Sequence, residues 1–312
     1  MLNPISKIPI PKSLIVVLGP TAVGKTSLAI QLAQHFDTEI ISADSRQFFR
    51  EMNIGTAKPT LKELSAAKHH FINSHSVTDS FNVGDFEKAG LEVISEIFKN
   101  KDIAILAGGS GLYINAICDG FDDLPEADPV IRQKLNQQLT DEGIGSLQVQ
   151  LRQADPDYYE KAKDNPQRLI RALEVSMGTG KPFSSYHQQQ KKQRPFNIIK
   201  IGLNTDRDKL YRQIDSRVDE MINAGLVDEA RSLLPYRHKN PLNTVGYSEL
   251  FDFFDETISL EKAVEMIKQN TRRFAKRQLT WFRRDPEIKW FEPNDLEGVK
   301  AFLSTAEINP KS

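Results

Sequence analysis

Near its beginning the chain reads Leu14-Ile15-Val16-Val17-Leu18-Gly19-Pro20-Thr21-Ala22-Val23-Gly24-Lys25-Thr26. The apolar residues at the start of this run predict a buried parallel strand. Residues 27–33 continue as Ser-Leu-Ala-Ile-Gln-Leu-Ala, which predicts the first turns of an amphipathic helix. A strand, a glycine-rich turn, a Lys-Thr pair and a helix together form the setting that a phosphate-binding loop requires.

The glycine-rich turn carries the groups that can hold an anion. Gly19 and Gly24 allow the backbone to turn so that several N–H groups face one phosphate, and the helix N-terminus adds a partial positive charge. Lys25 contributes a full positive charge, and Thr26 places a hydroxyl where a phosphate-bound Mg²⁺ would lie. Residues 19–26 are therefore predicted to bind a phosphate or a diphosphate, although they do not identify the molecule that carries it.

The composition of the chain excludes several classes of protein. With 312 residues, of which 39% are apolar and 27% charged, we expect a globular protein with room for an α/β domain and an insertion. The net charge of −1 excludes a protein that is basic throughout, and the single cysteine, Cys118, excludes an internal disulfide. Since no apolar run approaches the ~18 residues of a membrane helix, we expect a cytoplasmic protein without a membrane partner.

Two later strands lead into residues that could reach the phosphate loop. Ile40 and Ile41 predict a short strand, and Asp44 follows at its carboxyl end, where ligands bind in open α/β sheets. Spacing alone allows equally that Asp44 or Ser45 caps the next helix. Residues 103–107 predict another buried strand that runs into Gly108-Gly109-Ser110-Gly111, which is either a second backbone cradle or a tight turn into a helix.

The alternation of strands and helices divides the chain into four predicted regions. Residues 13–118 form the first part of a phosphate-loop α/β core, 119–196 a helical insertion, 197–292 the completion of the core with basic helices, and 293–312 a peripheral tail. Within the insertion, helices are expected around 128–141, 144–153 and 166–178.

The last third of the chain contains a strongly basic helix. Ser259 is expected to cap it, with the helix starting at about Leu260. Residues 268–284 hold seven basic and no acidic side chains, with Phe274, Trp281 and Phe282 between them. This pattern favours contact with a nucleic-acid phosphate backbone, while the alternative is a solvated helix whose aromatic side chains belong to the core.

Several further blocks accompany the phosphate loop in a fixed order. They are Ser42-Ala43-Asp44-Ser45-Arg46-Gln47, Asn53-Ile54-Gly55-Thr56-Ala57-Lys58-Pro59, Ala107-Gly108-Gly109-Ser110-Gly111-Leu112-Tyr113, Asn165-Pro166-Gln167-Arg168-Leu169-Ile170-Arg171-Ala172-Leu173-Glu174, Val245-Gly246-Tyr247 and Ala275-Lys276-Arg277-Gln278-Leu279-Thr280-Trp281. The set resembles the tRNA isopentenyltransferase family, also called tRNA dimethylallyltransferases, over about residues 14–290.

The resemblance implies a fold and a reaction. The fold would be a parallel sheet like that of P-loop NTPases, flanked by helices, with a helical insertion domain and a helical C-terminal part. The reaction would transfer a dimethylallyl group from dimethylallyl diphosphate to N6 of the adenosine immediately 3′ of the anticodon, with Mg²⁺ as cofactor. The phosphate loop would then hold a leaving diphosphate instead of hydrolysing a nucleotide. The implied partner is the anticodon arm of tRNA, and we expect a monomer.

The resemblance also implies roles for individual residues. Asp44 is similar to the general base of the family, and Arg217 to its diphosphate-contacting arginine. Thr21 matches a loop threonine that touches substrate, Lys25 would stabilise the leaving group, and Thr26 with Asp44 would hold Mg²⁺. The positions that would contact tRNA are Asp44, Ser45, Arg46, Gln47, Ser110, Arg132, Gln167, Arg168, Leu169, Ile170, Arg171, Lys276, Arg277, Gln278, Trp281 and Arg283, where Ser110 stands in place of the family's threonine.

Three other functions compete with this interpretation. An adenylate isopentenyltransferase would perform the same chemistry on a free nucleotide, but it needs neither the insertion nor the basic helix. An ATP-binding kinase or NTPase would place an acidic residue after a second strand for Mg²⁺, whereas here Ala107 leads into Gly108. A non-catalytic RNA-binding module would gain nothing from a carboxylate such as Asp44 beside phosphates.

Overall fold

The computed structural model describes residues 12–122, 124–126, 128–186 and 191–306. The described residues form two compact units. The first unit comprises the residues up to Cys118 and from Arg194 onward, and the second comprises those between Asp119 and Gln193.

The first unit is built on a parallel sheet. Its described strands are β1 (Ser13–Leu18), β2 (Ile40–Ser42), β3 (His69–His70), β4 (Ile103–Gly108), β5 (Asn197–Leu203) and β6 (Lys289–Phe291). They lie in the order β3-β2-β4-β1-β5-β6, and each neighbouring pair is parallel. This arrangement confirms the predicted α/β fold with a parallel sheet, and it puts the phosphate-loop strand β1 between β4 and β5.

Helices cover both faces of this sheet. They are α1 (Lys25–His35), α2 (Leu61–Ala66), α3 (Val83–Asn100), α4 (Gly111–Asp119), α9 (Arg207–Asn223), α10 (Leu226–Ser232), α11 (Tyr247–Phe254), α12 (Leu260–Phe282) and α13 (Leu296–Thr305). Alternate side chains of β1 enter different cores: Leu14, Val16 and Leu18 pack on one face, and Ile15 and Val17 on the other. Burial on both faces explains why β1 is an unbroken apolar run.

The turns that follow β1 and β4 require glycine because backbone approaches backbone there. Gly19 has φ +148°, and a Cβ at this position would lie 2.5 Å from the carbonyl oxygen of Leu203. A Cβ on Gly108 would lie 2.3 Å from the carbonyl oxygen of Ala43. The two glycine-rich turns can therefore lie directly against the neighbouring strand ends.

The second unit is helical in its described part, with α5 (Pro129–Glu142), α6 (Ile144–Ala154), α7 (Pro156–Ala162) and α8 (Pro166–Thr179). Three of these helices begin in the same way, with an Asp or Asn cap followed by proline: Asp128, Asp155 and Asn165 each accept backbone hydrogen bonds. The expected helices are present, but α7 was not predicted. Residues 123, 127 and 187–190 of the region predicted as the insertion lie outside the described residues.

Two predicted boundaries need correction. The second unit ends at Gln193 and not at 196, because the side chain of Arg194 is mostly buried in the first unit. There it donates to the carbonyl oxygens of Ala116 and Ile117 and pairs with Glu87. The predicted peripheral tail is wrong up to residue 305, since α13 buries Val299 and Leu303 completely in the core. The apolar stripe of α13 is short and is surrounded by polar residues, so the sequence pattern did not indicate a buried helix.

Among the described helices, none is both long and apolar enough to span a membrane.

Candidate active site

Two adjoining cavities open at the carboxyl end of the sheet. Their volumes are about 210 and 760 Å³. The residues that line both are Thr21, Lys25, Asp44, Thr56, Ala57, Arg217 and Met221. This shared boundary, called the junction below, brings the predicted catalytic residues Thr21, Lys25, Asp44 and Arg217 together from three separate parts of the chain.

The phosphate loop has the conformation that its sequence predicts. Ala22 and Gly24 have φ of +65° and +100°, and α1 starts at Lys25 without a side chain capping its first turn. Among the described residues, no side chain accepts the N–H groups of that turn, and Thr21, Ala22, Gly24, Lys25 and Thr26 line the larger cavity. This is the arrangement in which a helix N-terminus binds a phosphate.

The amine of Lys25 lies folded against its own loop. Its Nζ donates to the carbonyl oxygen of Pro20 at 2.7 Å. Burial lowers the pKa of Lys25 to about 8, an effect that the charge of Asp44 opposes and that of Arg217 reinforces. Burial also lowers the pKa of the Arg217 guanidinium, which remains charged because the ordinary arginine value is so high. The junction thus holds two cations, one of which can lose its proton in mildly alkaline solution.

Asp44 follows β2. Its spacing allowed either a site residue or a helix cap, and the structure supports each of these in part. One carboxylate oxygen, Oδ1, accepts the N–H of Arg46 at 3.0 Å, so the side chain does cap a structure, but this structure is a turn and no helix begins there. Asp44 also lines both cavities. The turn fixes the carboxylate at the junction, opposite the phosphate loop.

Ser45, Arg46 and Ser110, which were predicted to contact tRNA, line the smaller cavity together. The Ser110 hydroxyl accepts the N–H of Ser45 at 3.1 Å and lies 3.2 Å from the hydroxyl of the same residue. Burial lowers the pKa of Arg46. Gln47 lines the larger cavity, and its Nε2 donates to the carbonyl oxygens of Thr56 and Ala57, each at 3.2 Å.

Gln278 joins the basic helix to both glycine-rich turns. Its Oε1 accepts the N–H of Thr21 at 2.9 Å, and its Nε2 donates to the carbonyl oxygen of Gly109 at 2.9 Å. A Cβ on Gly109 would lie 2.4 Å from that nitrogen, so the contact requires glycine. Because the amide is buried and both ends are engaged, Gln278 has a structural role at the loop. It also lines the smaller cavity, and its contact with tRNA stays a prediction.

Helix α12 presents a narrower basic surface than its sequence suggests. Ser259 caps it as predicted, by accepting the N–H of Lys262. Lys268 and Arg272 turn toward α9, where they pair with Asp219 and Asp215. From residue 268 to the two arginines that follow the helix, the exposed side chains are Gln269, Arg273, Phe274, Lys276, Arg277, Thr280, Trp281, Arg283 and Arg284. The alternative that the aromatic side chains belong to the core holds for Phe282, but Phe274 and Trp281 are exposed. Contact with nucleic acid stays a prediction, for which Lys276, Arg277, Trp281 and Arg283 are accessible.

The predicted tRNA-contacting positions in the second unit fall into three groups. Gln167 and Arg168 are exposed at the start of α8, whereas Leu169 and Ile170 are buried in the core of the unit, so contacts from these two apolar side chains were predicted wrongly. Arg132 donates both Nε and Nη2 to the buried carboxylate of Glu174, and Arg171 donates to it as well. These arginines neutralise a buried charge, which gives them a structural function that the sequence did not reveal.

The residues predicted to hold Mg²⁺ fit that ion. Thr26 and Asp44 line the same cavity and offer a hydroxyl and a carboxylate oxygen, the hard ligands that Mg²⁺ prefers. Within the part of the chain that the structure describes, no group of three or more His, Cys, Asp or Glu side chains is placed to hold a metal. A Mg²⁺ ion would therefore take most of its ligands from phosphate and water, as is usual for this ion.

The fold and the site define an α/β protein with a phosphate loop, in which a carboxylate faces that loop across a cavity. The model of the IPP transferase family matches residues 47–285, and the chain belongs to this family of enzymes. A tRNA dimethylallyltransferase of Christiangramia forsetii is 59% identical over 89% of this chain and 93% of its own length.

Solved structures agree with this assignment. The tRNA isopentenylpyrophosphate transferase of Bacillus halodurans has a TM-score of 0.70 and 36% identity, over 94% of this chain and 96% of its own. A eukaryotic dimethylallyltransferase described as acting on tRNA has a TM-score of 0.76 and 27% identity, over 95% of this chain and 78% of its own.

Sequence reasoning missed two residues that shape the site. Met221 lies one helical turn after Arg217 on α9, so this spacing could have placed it on the same face of the helix. Glu229 on α10 binds backbone N–H groups more than 170 residues earlier in the chain, and no local pattern indicates that contact.

The lowered pKa of Lys25 predicts a pH dependence for anion binding. Below about pH 8 the amine is charged, and above that pH it becomes neutral, so affinity for pyrophosphate should fall as the pH rises from 7 to 9.5. Isothermal titration of wild-type protein and of Lys25→Arg separates this effect from ionisation of the ligand, because arginine stays charged throughout. We expect the wild-type affinity to fall relative to that of Lys25→Arg, and a constant ratio would contradict the assignment.

Proposed function

We propose that this protein transfers a dimethylallyl group from dimethylallyl diphosphate to N6 of the adenosine immediately 3′ of the anticodon in tRNA. The observation that carries the proposal is the junction, where Asp44 meets Lys25, Arg217 and the phosphate loop between two cavities. Membership of the IPP transferase family supports the chemistry, and relatives named tRNA dimethylallyltransferase support the donor and the acceptor.

The larger cavity suits the diphosphate of the donor. The N-terminus of α1 supplies backbone N–H groups, and Lys25 and Arg217 supply positive charge. Negative charge develops on the bridging oxygen as the allylic carbon departs, and prearranged donors and cations stabilise it. Thr26 and Asp44 would hold Mg²⁺, which when bound neutralises part of the diphosphate charge.

The smaller cavity suits an adenine that has left its stack. Its lining combines the polar side chains of Ser45, Arg46 and Ser110 with apolar ones, namely Val218, Met221, Val245, Ile267 and Phe274. Enzymes that modify a base in a folded nucleic acid bind it extruded, in a pocket with polar groups for its edge and apolar groups for its face.

In the proposed reaction, N6 of the adenine forms a bond to the terminal allylic carbon while the bond from that carbon to the diphosphate oxygen breaks. The diphosphate leaves with the electron pair. The amino group is a weak nucleophile because its lone pair is delocalised into the ring, and it must lose a proton as the new bond forms. Asp44 lies at the junction and accepts that proton as general base.

The other candidate functions have less support. An ATP-dependent kinase or NTPase would use a carboxylate after β4, but β4 ends at Gly108, and the carbonyl oxygen of Gly109 is bound by Gln278. An enzyme for free adenylate would not require an exposed basic face such as that of Lys276 and Arg277 on α12 and of Arg283 directly after it.

Transfer of a labelled allyl group tests the proposal directly. The protein is incubated with Mg²⁺, labelled dimethylallyl diphosphate and either bulk tRNA or AMP, and the labelled product is digested and mapped. Label at N6 of the adenosine 3′ of the anticodon is expected. Label in AMP alone would favour the free-nucleotide enzyme, and no label in either acceptor would contradict the proposal.

The same assay tests the role of Asp44. Asp44→Asn removes the base while keeping an oxygen that can accept the N–H of Arg46, so the turn should persist. We expect transfer to fall by about 10²-fold or more while tRNA affinity stays near that of wild type. Transfer at the wild-type rate with saturating donor would show that Asp44 is not the base.

The exposed face of α12 predicts the salt dependence of tRNA binding. In the double variant Lys276→Gln/Arg277→Gln, the slope of log affinity against log salt should become shallower by about 1.5, since each lost phosphate contact contributes about 0.7–0.9. The control is Lys88→Gln/Lys99→Gln, which removes two exposed charges from α3. Equal slopes for the two variants would exclude α12 as the phosphate-contacting helix.

A further inference from the structure

One wall of the junction is a loop that lies far from the phosphate loop in sequence. Residues 53–58 form it, and Thr56 and Ala57 line both cavities, while Gly55 lines the smaller one. In the proposed reaction the reacting carbon would lie near this wall, because Asp44 and the phosphate loop line the same cavities as Thr56 and Ala57.

A single carboxylate holds the start of this loop. Glu229 on α10 accepts three consecutive backbone N–H groups, those of Asn53, Ile54 and Gly55, at 2.9, 2.8 and 3.0 Å. Three N–H groups converging on one anion form a rigid backbone nest, and hydrogen bonds to an ionised acceptor are about twice as strong as neutral ones.

A tyrosine fixes that carboxylate and supports the loop from beneath. The hydroxyl of Tyr247, at the start of α11, donates to Oε1 of Glu229 at 2.7 Å. Its ring is completely buried and packs so closely under Gly55 that a Cβ there would lie 2.6 Å from ring carbon Cζ. Burial and the charge of Glu229 raise the pKa of Tyr247, so the hydroxyl stays a donor.

The end of the loop is held from the opposite side. Lys58 donates to the carbonyl oxygen of Phe49 at 2.6 Å and to the side-chain oxygens of Asn53 and Asn73 at 3.0 and 2.6 Å. Together with the bonds from Gln47 to the carbonyl oxygens of Thr56 and Ala57, these contacts leave the loop little freedom to move away from the junction.

We propose that Glu229 and Tyr247 are positioning residues that fix the width of the junction and thereby select a short allylic chain over a longer one. This inference rests on the proposed function. Because both ends of the loop at residues 53–58 are restrained, its backbone cannot move away from the junction to make room for the extra carbons of a longer donor. If the start of the loop is released, the backbone can move and the junction can widen. Neither residue touches the reacting atoms, and both act through the position of residues 55–57.

Donor selectivity tests the inference. Values of kcat and KM are measured with saturating tRNA for dimethylallyl diphosphate and for geranyl diphosphate, which is one isoprene unit longer. In Tyr247→Phe and Glu229→Gln, the kcat/KM preference for the shorter donor should fall by about tenfold, mainly through KM. Tyr247→Phe keeps the ring beneath Gly55 and removes only the hydroxyl, so it should fold even where Glu229→Gln does not.

A matched control separates positioning from loss of stability. Phe251→Leu removes buried volume from α11, the helix that carries Tyr247, but its side chain lines neither cavity. It should lower the melting temperature and leave the donor preference unchanged. The inference would be overturned if the preference for the shorter donor is unchanged in both Tyr247→Phe and Glu229→Gln. It would also be overturned if that preference falls equally in Phe251→Leu.

Amide hydrogen exchange tests, without an activity assay, whether Glu229 and Tyr247 restrain residues 53–55; the three hydrogen bonds from these residues to Glu229 are called the clamp below. The N–H groups of Asn53, Ile54 and Gly55 should be protected in wild type and exchange about tenfold faster in Glu229→Gln, relative to the core amides of β1. Unchanged protection overturns the clamp. Wild-type protein that transfers no dimethylallyl group to tRNA overturns the proposed function instead, so the two failures are distinguishable.

Discussion

The amide of Gln278 is the contact on which the geometry of the site depends. It accepts from the phosphate loop at Thr21 and donates to the second glycine-rich turn at Gly109, and its own helix, α12, carries the exposed basic face. If this amide were lost, a backbone N–H and a carbonyl oxygen would remain without partners in a mostly buried place, which costs about 1–3 kcal/mol per group. One side chain therefore fixes the distance between the two turns and ties the candidate tRNA surface to the candidate diphosphate site.

The other walls of the site follow the same principle, in which distant segments of the chain restrain backbone at the edge of the sheet. Asp44 is held by the turn that it caps, and the loop at residues 53–58 by Glu229 and Tyr247. Such restraint suits a prenyl transfer, in which an uncharged amino group and an activated carbon must meet in one orientation. It also explains why the sequence blocks Val245-Gly246-Tyr247 and Asn53–Pro59 occur in the same chain, since Tyr247 packs under Gly55 in the folded protein.

Much of the fold could be predicted because its signals are local. β1 is a continuous apolar run between two cores, and Ser259 carries a capping signal that the structure confirms. The rule that ligands bind at the carboxyl ends of parallel strands made Asp44 a candidate for the site but left a capping role equally possible, and the family resemblance decided between the two. By contrast, α13 was missed because only a few buried residues, such as Val299 and Leu303, distinguish it from a polar tail.

Features that depend on packing could not be predicted. Within the basic helix, sequence does not reveal that Arg272 pairs with Asp215 while Lys276 remains exposed. Gln278 lies among residues expected to meet tRNA, and only the fold shows that its amide faces inward. The partners of Glu229 lie more than 170 residues away in sequence, so neither spacing nor charge pattern could indicate them.

The most direct measurement is the affinity of Gln278→Met for pyrophosphate and for tRNA. Methionine is similar in length but can make neither hydrogen bond, so the phosphate loop should lose its fixed position while the exposed basic side chains stay in place. We predict that Gln278→Met binds pyrophosphate about tenfold more weakly, equivalent to about 1.4 kcal/mol, while its tRNA affinity stays close to that of wild type. The neighbouring control Thr280→Ala should bind both ligands about as well as wild type. Wild-type pyrophosphate affinity in Gln278→Met would contradict the account.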